Sequence, residues 1–131
     1  IGFEGALSDL IENWGNRFNK IQLTYTIDKK TTDLINSQQQ AHIYRIIQEA
    51  LTNIAKHTKA KKESINIAPF GPENQLRIKV INDGIKISTK KNFGRGAGLL
   101  GIEERVRQLN GRCNISINRV FKITIVLGSK H

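Results

Sequence analysis

The sequence predicts an α+β fold: a two-layer α/β sandwich with about three helices on one face of a mixed, mostly antiparallel sheet of about five strands. Two patterns carry this reading. Three segments repeat apolar residues every third or fourth position, and five short segments alternate apolar with polar residues, in the order αβαββαββ. With 131 residues, 38% of them apolar, the chain is expected to form a single domain over residues 1–131 and has enough apolar side chains for one core.

Taken in order, Leu7, Leu10, Ile11, Trp14 and Phe18 give the first helix, from Glu4 to Phe18. Ile21, Leu23, Tyr25 and Ile27 alternate with Gln22, Thr24 and Thr26 as a strand with one wet face. Asp28 to Asn36 reads as a polar connection. Ser37, with Gln40 three residues on, forms a capping box for the second helix, and Ile43, Ile47, Ala50, Leu51 and Ile54 continue it to about His57. Ile65 and Ile67, then Leu76, Ile78 and Val80, make a hairpin about a turn at Pro69 to Pro72. Residues 82–98 break every period and form a loop of about 15 residues, a length that compact domains usually reserve for function. Leu99, Ile102, Val106 and Leu109 give the third helix, stopped at Asn110-Gly111. Two strands close the chain: Cys113, Ile115 and Ile117, then Phe121, Ile123, Ile125 and Leu127, with a turn near Asn118-Arg119.

Composition removes several classes of function. No window approaches the roughly 18 apolar residues of a membrane span, and no charged-then-apolar leader opens the chain. Cys113 stands alone, so an intrachain disulfide and a multi-cysteine metal site are excluded. The net charge of +10 favours anionic partners: nucleic acid, acidic protein surfaces, anionic lipid or phosphorylated small molecules. There is no methionine, even at position 1, which reads as a piece of a longer protein.

On the second helix, Glu49, Asn53, Lys56 and His57 fall within an arc of about 100° beside the apolar stripe. Oxygen donors and cationic nitrogens side by side can hold Mg²⁺ and phosphate, although an ordinary solvated helix edge has the same composition. Gly96-Ala-Gly98-Leu-Leu-Gly101 is formally a dinucleotide fingerprint, but it follows polar loop rather than a buried strand, and no acidic residue stands about 20 positions beyond it. What remains is either a phosphate cradle at a helix start or a glycine hinge. Asn82-Asp83-Gly84 is favoured turn chemistry. His42 and His131 form no triad, and the absence of GxxxxGK[ST] excludes a P-loop.

In order and spacing, these pieces resemble the ATP-binding domain of bacterial two-component sensor histidine kinases, within the superfamily that includes gyrase, the Hsp90 chaperones and the MutL proteins. Gln48-Glu-Ala-Leu-Thr-Asn-Ile-Ala-Lys-His-Thr-Lys-Ala60 resembles the asparagine box of the nitrate-sensor and hexose-phosphate-sensor type. Leu99-Leu-Gly-Ile-Glu-Glu-Arg-Val106 with Leu109-Asn-Gly111 resembles its second glycine box, and Phe3 to Phe18 is similar to the stretch after the phosphoacceptor helices. The resemblance implies a Bergerat-type ATPase fold and the cofactors ATP and Mg²⁺. It implies Asn53 as the Mg²⁺ ligand, Glu49 as a catalytic group that positions the reactants, and Lys56 and His57 as phosphate contacts. Asn82 and Gly84 would lie at the adenine, and the segment from Ile85 to Arg95 would be a lid, with Gly96, Gly98, Leu99 and Gly101 at the phosphates.

The implied partners are a phosphoacceptor helical domain outside this chain, which takes the γ-phosphoryl on histidine, and an acidic response-regulator receiver. Nucleic acid and direct membrane contact are not expected. The isolated fragment is expected to be a monomer, drawn from the cytoplasmic part of a membrane-anchored kinase. Three positions depart from the family pattern: Asn82 stands for the adenine-reading Asp, Lys86 for a Gly, and Phe121 for a Thr. They support an alternative, an interaction module of the same fold with weak or no ATP binding. A third reading, nucleic-acid binding, rests on the charge and on Lys59-Ala-Lys-Lys62 and Lys90-Lys91.

Overall fold

Strict alternation along five segments builds one sheet, and the phase of each strand decides which face the helices cover. The computed structural model describes residues 2–57, 59–84 and 99–128, apart from the side chains of 54–57. The elements are α1 (Gly2–Arg17), β1 (Gln22–Ile27), α2 (Thr31–Leu34), α3 (Ser37–His57), β2 (Lys62–Phe70), β3 (Gln75–Asn82), α4 (Leu99–Gln108), β4 (Arg112–Ile117) and β5 (Phe121–Leu127). The sheet order is β1-β2-β3-β5-β4, with β1 parallel to β2 and every other pairing antiparallel. This is the mixed, mostly antiparallel five-stranded sheet expected from the sequence. No helix among the described residues is long and apolar enough to cross a membrane.

Ile65, Ile67, Leu76, Ile78, Val80, Ile123, Ile125 and Leu127 face the helices and are buried. Leu7 and Ile11 of α1, Ile43, Ile46, Ile47 and Leu51 of α3, and Ile102 and Val106 of α4 complete the core. On the outer face the same strands carry Asn66, Lys79 and Thr124 in one cross-strand row, and Ser64, Ile81 and Lys122 in the next. That face is polar and basic because alternation sends every second residue to it.

Three local expectations are corrected. The capping box lies one residue earlier than Ser37 and Gln40: Gln39 N–H donates to Asn36 Oδ1, and Asn36 N–H donates to Gln39 Oε1, both at 2.9 Å. Asn caps as well as Ser does, and Gln39 is held further by its side-chain amide, which donates to the Gly128 carbonyl at 3.1 Å. The Asp28 to Asn36 connection contains the single turn α2, with Thr31 and Ile35 buried beneath it. The hairpin turn sits at residues 71–74 rather than at Pro69 to Pro72, with Gly71 and Asn74 both at positive φ. Pro69 is tolerated within β2 because β1 ends opposite Ile67, so the last residues of β2 have a neighbour on one side only. The predicted stop of α4 is a Schellman motif: Asn110 has φ 55°, Gly111 N–H donates to the Val106 carbonyl, and Asn110 N–H to that of Arg107.

Candidate functional site

Asn53 lies one turn after Glu49 on α3, and the packing of α4 against α3 brings Gly101 and Arg105 to the same place. Asn53 is 3% exposed, and its Nδ2 has no hydrogen-bond partner. Glu49 Oε1 lies 3.5 Å from Arg105 Nε, whereas Glu49 Oε2 is buried without a partner. The ion pair is about one-third exposed at each side chain, so it orients the carboxylate more than it stabilises the fold. A Cβ on Gly101 would stand 2.8 Å from Glu49 Oε2, so glycine here makes room for that carboxylate. Arg105 also reaches His42 Nδ1 at 3.5 Å, giving that histidine a structural neighbour. Leu99 begins α4 as a buried core residue.

The end of the sheet supplies a second group. Asn82, 1% exposed, closes β3 with its side chain on the helix-facing side, in phase with Val80 and Ile78. Its Oδ1 accepts from Gly84 N–H at 3.0 Å, and its Nδ2 has no partner. In register, Asn82 stands between Phe121 on β5 and Glu63 on β2. Cross-strand pairing therefore places Phe121 directly beside Asn82. Asp83 Oδ1 accepts from the backbone amides of Lys61 and Lys62 at 2.9 and 3.0 Å. Burial pushes its carboxyl upward, but the Lys62 and Lys61 amides outweigh that and hold it below the usual carboxylate range. A Cβ on Gly84 would run into the backbone of Ala60 and Lys59, so this glycine is required for the segment after α3 to close on the end of β3.

Sequence reasoning missed Glu63 and Arg105. Glu63 is 2% exposed, and burial, followed by the Asp83 charge, pushes its carboxyl up to about 9. Its signal was available: Glu63 precedes Ile65 and Ile67 in strand phase, so extending the strand two residues backward places a carboxyl in the core. Arg105 carried no comparable sign, because one arginine on an amphipathic helix does not reveal a carboxylate on another. Lys56 and His57 have side chains outside the described set. Gly96, Gly98, Lys86 and the expected lid from Ile85 to Arg95 lie outside the described residues.

Among the described residues no three His, Cys, Asp or Glu side chains cluster as a metal site. Glu49 Oε2, buried without a partner, nevertheless fits Mg²⁺ held with a triphosphate, and the side-chain oxygen of Asn53 one turn on is of the same hard-donor type; that ion takes few protein oxygens and keeps phosphate and water for the rest. Cys113 contributes no nucleophile: burial, then the Glu103 charge, pushes its thiol up to about 11.

A sequence profile of the family described as histidine kinase-, DNA gyrase B- and HSP90-like ATPase matches residues 38–130. The sensor histidine kinase ComP of Bacillus subtilis is 36% identical over 129 residues, which cover 95% of this chain and 16% of ComP. The chain thus spans a small part of that relative's length. In fold, the histidine kinase domain of the blue-light-activated kinase of Erythrobacter litoralis superposes with a TM-score of 0.80 at 17% identity, covering 98% of this chain and 62% of that one. The ATP-binding domain of PrrB from Mycobacterium tuberculosis gives 0.75 at 11% identity, covering 100% of this chain and 96% of that one.

Proposed function

We propose that this chain, which belongs to the histidine kinase-, DNA gyrase B- and HSP90-like ATPase family, binds Mg²⁺-ATP and presents the γ-phosphoryl group to a histidine on a helical domain outside residues 1–131. The observation that carries the reading is that Glu49 Oε2, Asn53 Nδ2 and Asn82 Nδ2 are among the buried polar atoms without partners. An unpaired buried donor or acceptor costs about 1–3 kcal/mol. An interaction module that bound no nucleotide would gain by replacing these residues with apolar ones, so the arrangement favours the ATP reading over that alternative.

Asn53 holds Mg²⁺ through its amide oxygen, and the ion supplies charge neutralisation at the triphosphate. Glu49, oriented by Arg105 and housed against Gly101, positions the reacting groups. Lys56, His57, Gly96, Gly98 and the backbone at Leu99 and Gly101 contact phosphate, while Asn82 contacts the base beside Gly84. Phosphoryl transfer needs alignment and charge compensation more than covalent help, and these groups supply both. The resulting phosphohistidine passes its group to an acidic receiver, in a cytoplasmic setting within a membrane-anchored sensor kinase. The isolated domain acts as a monomer.

Calorimetric titration with Mg²⁺-ATP, ADP and GTP, paired with thermal shift, tests this. Adenine-selective binding that depends on Mg²⁺ supports it, with about 2.7 kcal/mol of added stability at roughly 100 times the dissociation constant. Absence of binding at millimolar nucleotide refutes it.

A further inference from the structure

At the end of the sheet, one cross-strand row reads Leu23, Glu63, Asn82, Phe121 and Ile117 across β1, β2, β3, β5 and β4. Glu63 occupies the phase that β2 otherwise fills with Ile65 and Ile67. An apolar residue would satisfy the fold there at lower cost, so packing alone does not account for a carboxyl. Neither oxygen of Glu63 has a hydrogen-bond partner, nor has the Nδ2 of Asn82 directly opposite. Because Asn82 Oδ1 is committed to Gly84 N–H, the free end of that amide is a donor. The pair therefore offers an acceptor and a donor on neighbouring strands.

We propose that Glu63 is a base-reading residue of the nucleotide site, accepting a hydrogen bond from the exocyclic amine of adenine while Asn82 Nδ2 donates to the adjacent ring nitrogen. The proposal rests on the ATP-binding reading above and adds the residue that selects the base. Adenine presents an amine donor beside a ring acceptor, which complements the pair. Guanine presents a carbonyl beside a ring N–H, so the Asn82 donor would face another donor. The carboxyl acceptor that position 82 lacks is supplied from the next strand. Phe121, on the other side of Asn82, gives the base an apolar surface.

The test is titration of the chain and its E63L and E63Q variants with the Mg²⁺ complexes of ATP, GTP and purine riboside triphosphate, which lacks the amine. The parent should prefer ATP over the amine-free analogue by about tenfold, the worth of one such hydrogen bond. E63L should bind both at the analogue's level, and E63Q, whose amide oxygen still accepts, should keep most of the preference. Equal weakening of both nucleotides in E63L, or an unchanged preference for ATP, overturns the assignment while leaving ATP binding in place. If the parent binds none of the three, the ATP reading fails and the assignment fails with it. Thermal melts of each variant separate loss of binding from loss of fold.

Discussion

Replacing Glu63 with glutamine removes a carboxyl that burial, and then the Asp83 charge, raise from 4.5 to about 9. Across that window the folded chain holds a proton that the unfolded chain has released. The contribution is fully present below the unfolded value, declines as pH rises, and is lost as pH passes the folded value. Each pH unit inside the window is worth about 1.36 kcal/mol, so the parent should lose about 3 kcal/mol relative to E63Q between about pH 5 and about pH 7.5. A domain stable by about 5–15 kcal/mol makes a change of that size easy to resolve. Urea unfolding of both proteins in matched buffers across the window gives the difference directly. Parallel stability profiles for parent and variant would refute the argument, because they would mean that Glu63 titrates alike in the folded and unfolded chains.

Asn53→Ala should abolish Mg²⁺-dependent nucleotide binding while shifting stability by less than about 1 kcal/mol, since the unpaired Nδ2 loses no bond; unchanged affinity by calorimetry contradicts the assigned role. Gly84→Ala should destabilise by about 3 kcal/mol in urea unfolding, because its methyl would meet the backbone of Ala60 and Lys59 rather than a movable side chain. Asn36→Ala should cost about 1 kcal/mol through loss of the reciprocal cap with Gln39, and an unaltered denaturation midpoint would count against that cap.

Much of the fold was legible because burial follows phase. Leu76, Ile78 and Val80 alternate, Ile43, Ile47, Ala50 and Leu51 recur at helical spacing, and both patterns survive into the structure. The misplacements have local causes. Asn36 and Ser37 are both good caps with a glutamine three residues on, and only the tie from Gln39 to Gly128 distinguishes them. Pro69 looked like a turn because its place beyond the reach of β1 is a property of pairing, which sequence does not display. At the candidate site, Glu49 and Asn53 could be placed on one helix face from spacing. The closeness of Glu49 to Gly101 and Arg105, and of Asn82 to Glu63 and Phe121, depends on helix packing and strand register between distant segments.

The one parallel pairing sets how the domain yields. β2 and β3 are joined by a tight turn, and so are β4 and β5, whereas β1 reaches β2 only through α2 and α3. β1 is also an edge strand, and Leu23, Tyr25 and Ile27 are only half-buried. The antiparallel strands are therefore linked locally, while α1 and β1 join them through long-range contacts that include the buried Leu7 and Ile11. Pull or torque arriving through α1 would load those long-range contacts first. In the cross-strand row containing Glu63 and Asn82, Glu63 lies next to Leu23 of the edge strand. Mechanical strain entering through α1 thus meets Glu63, the residue proposed above to read the base, after crossing a single strand.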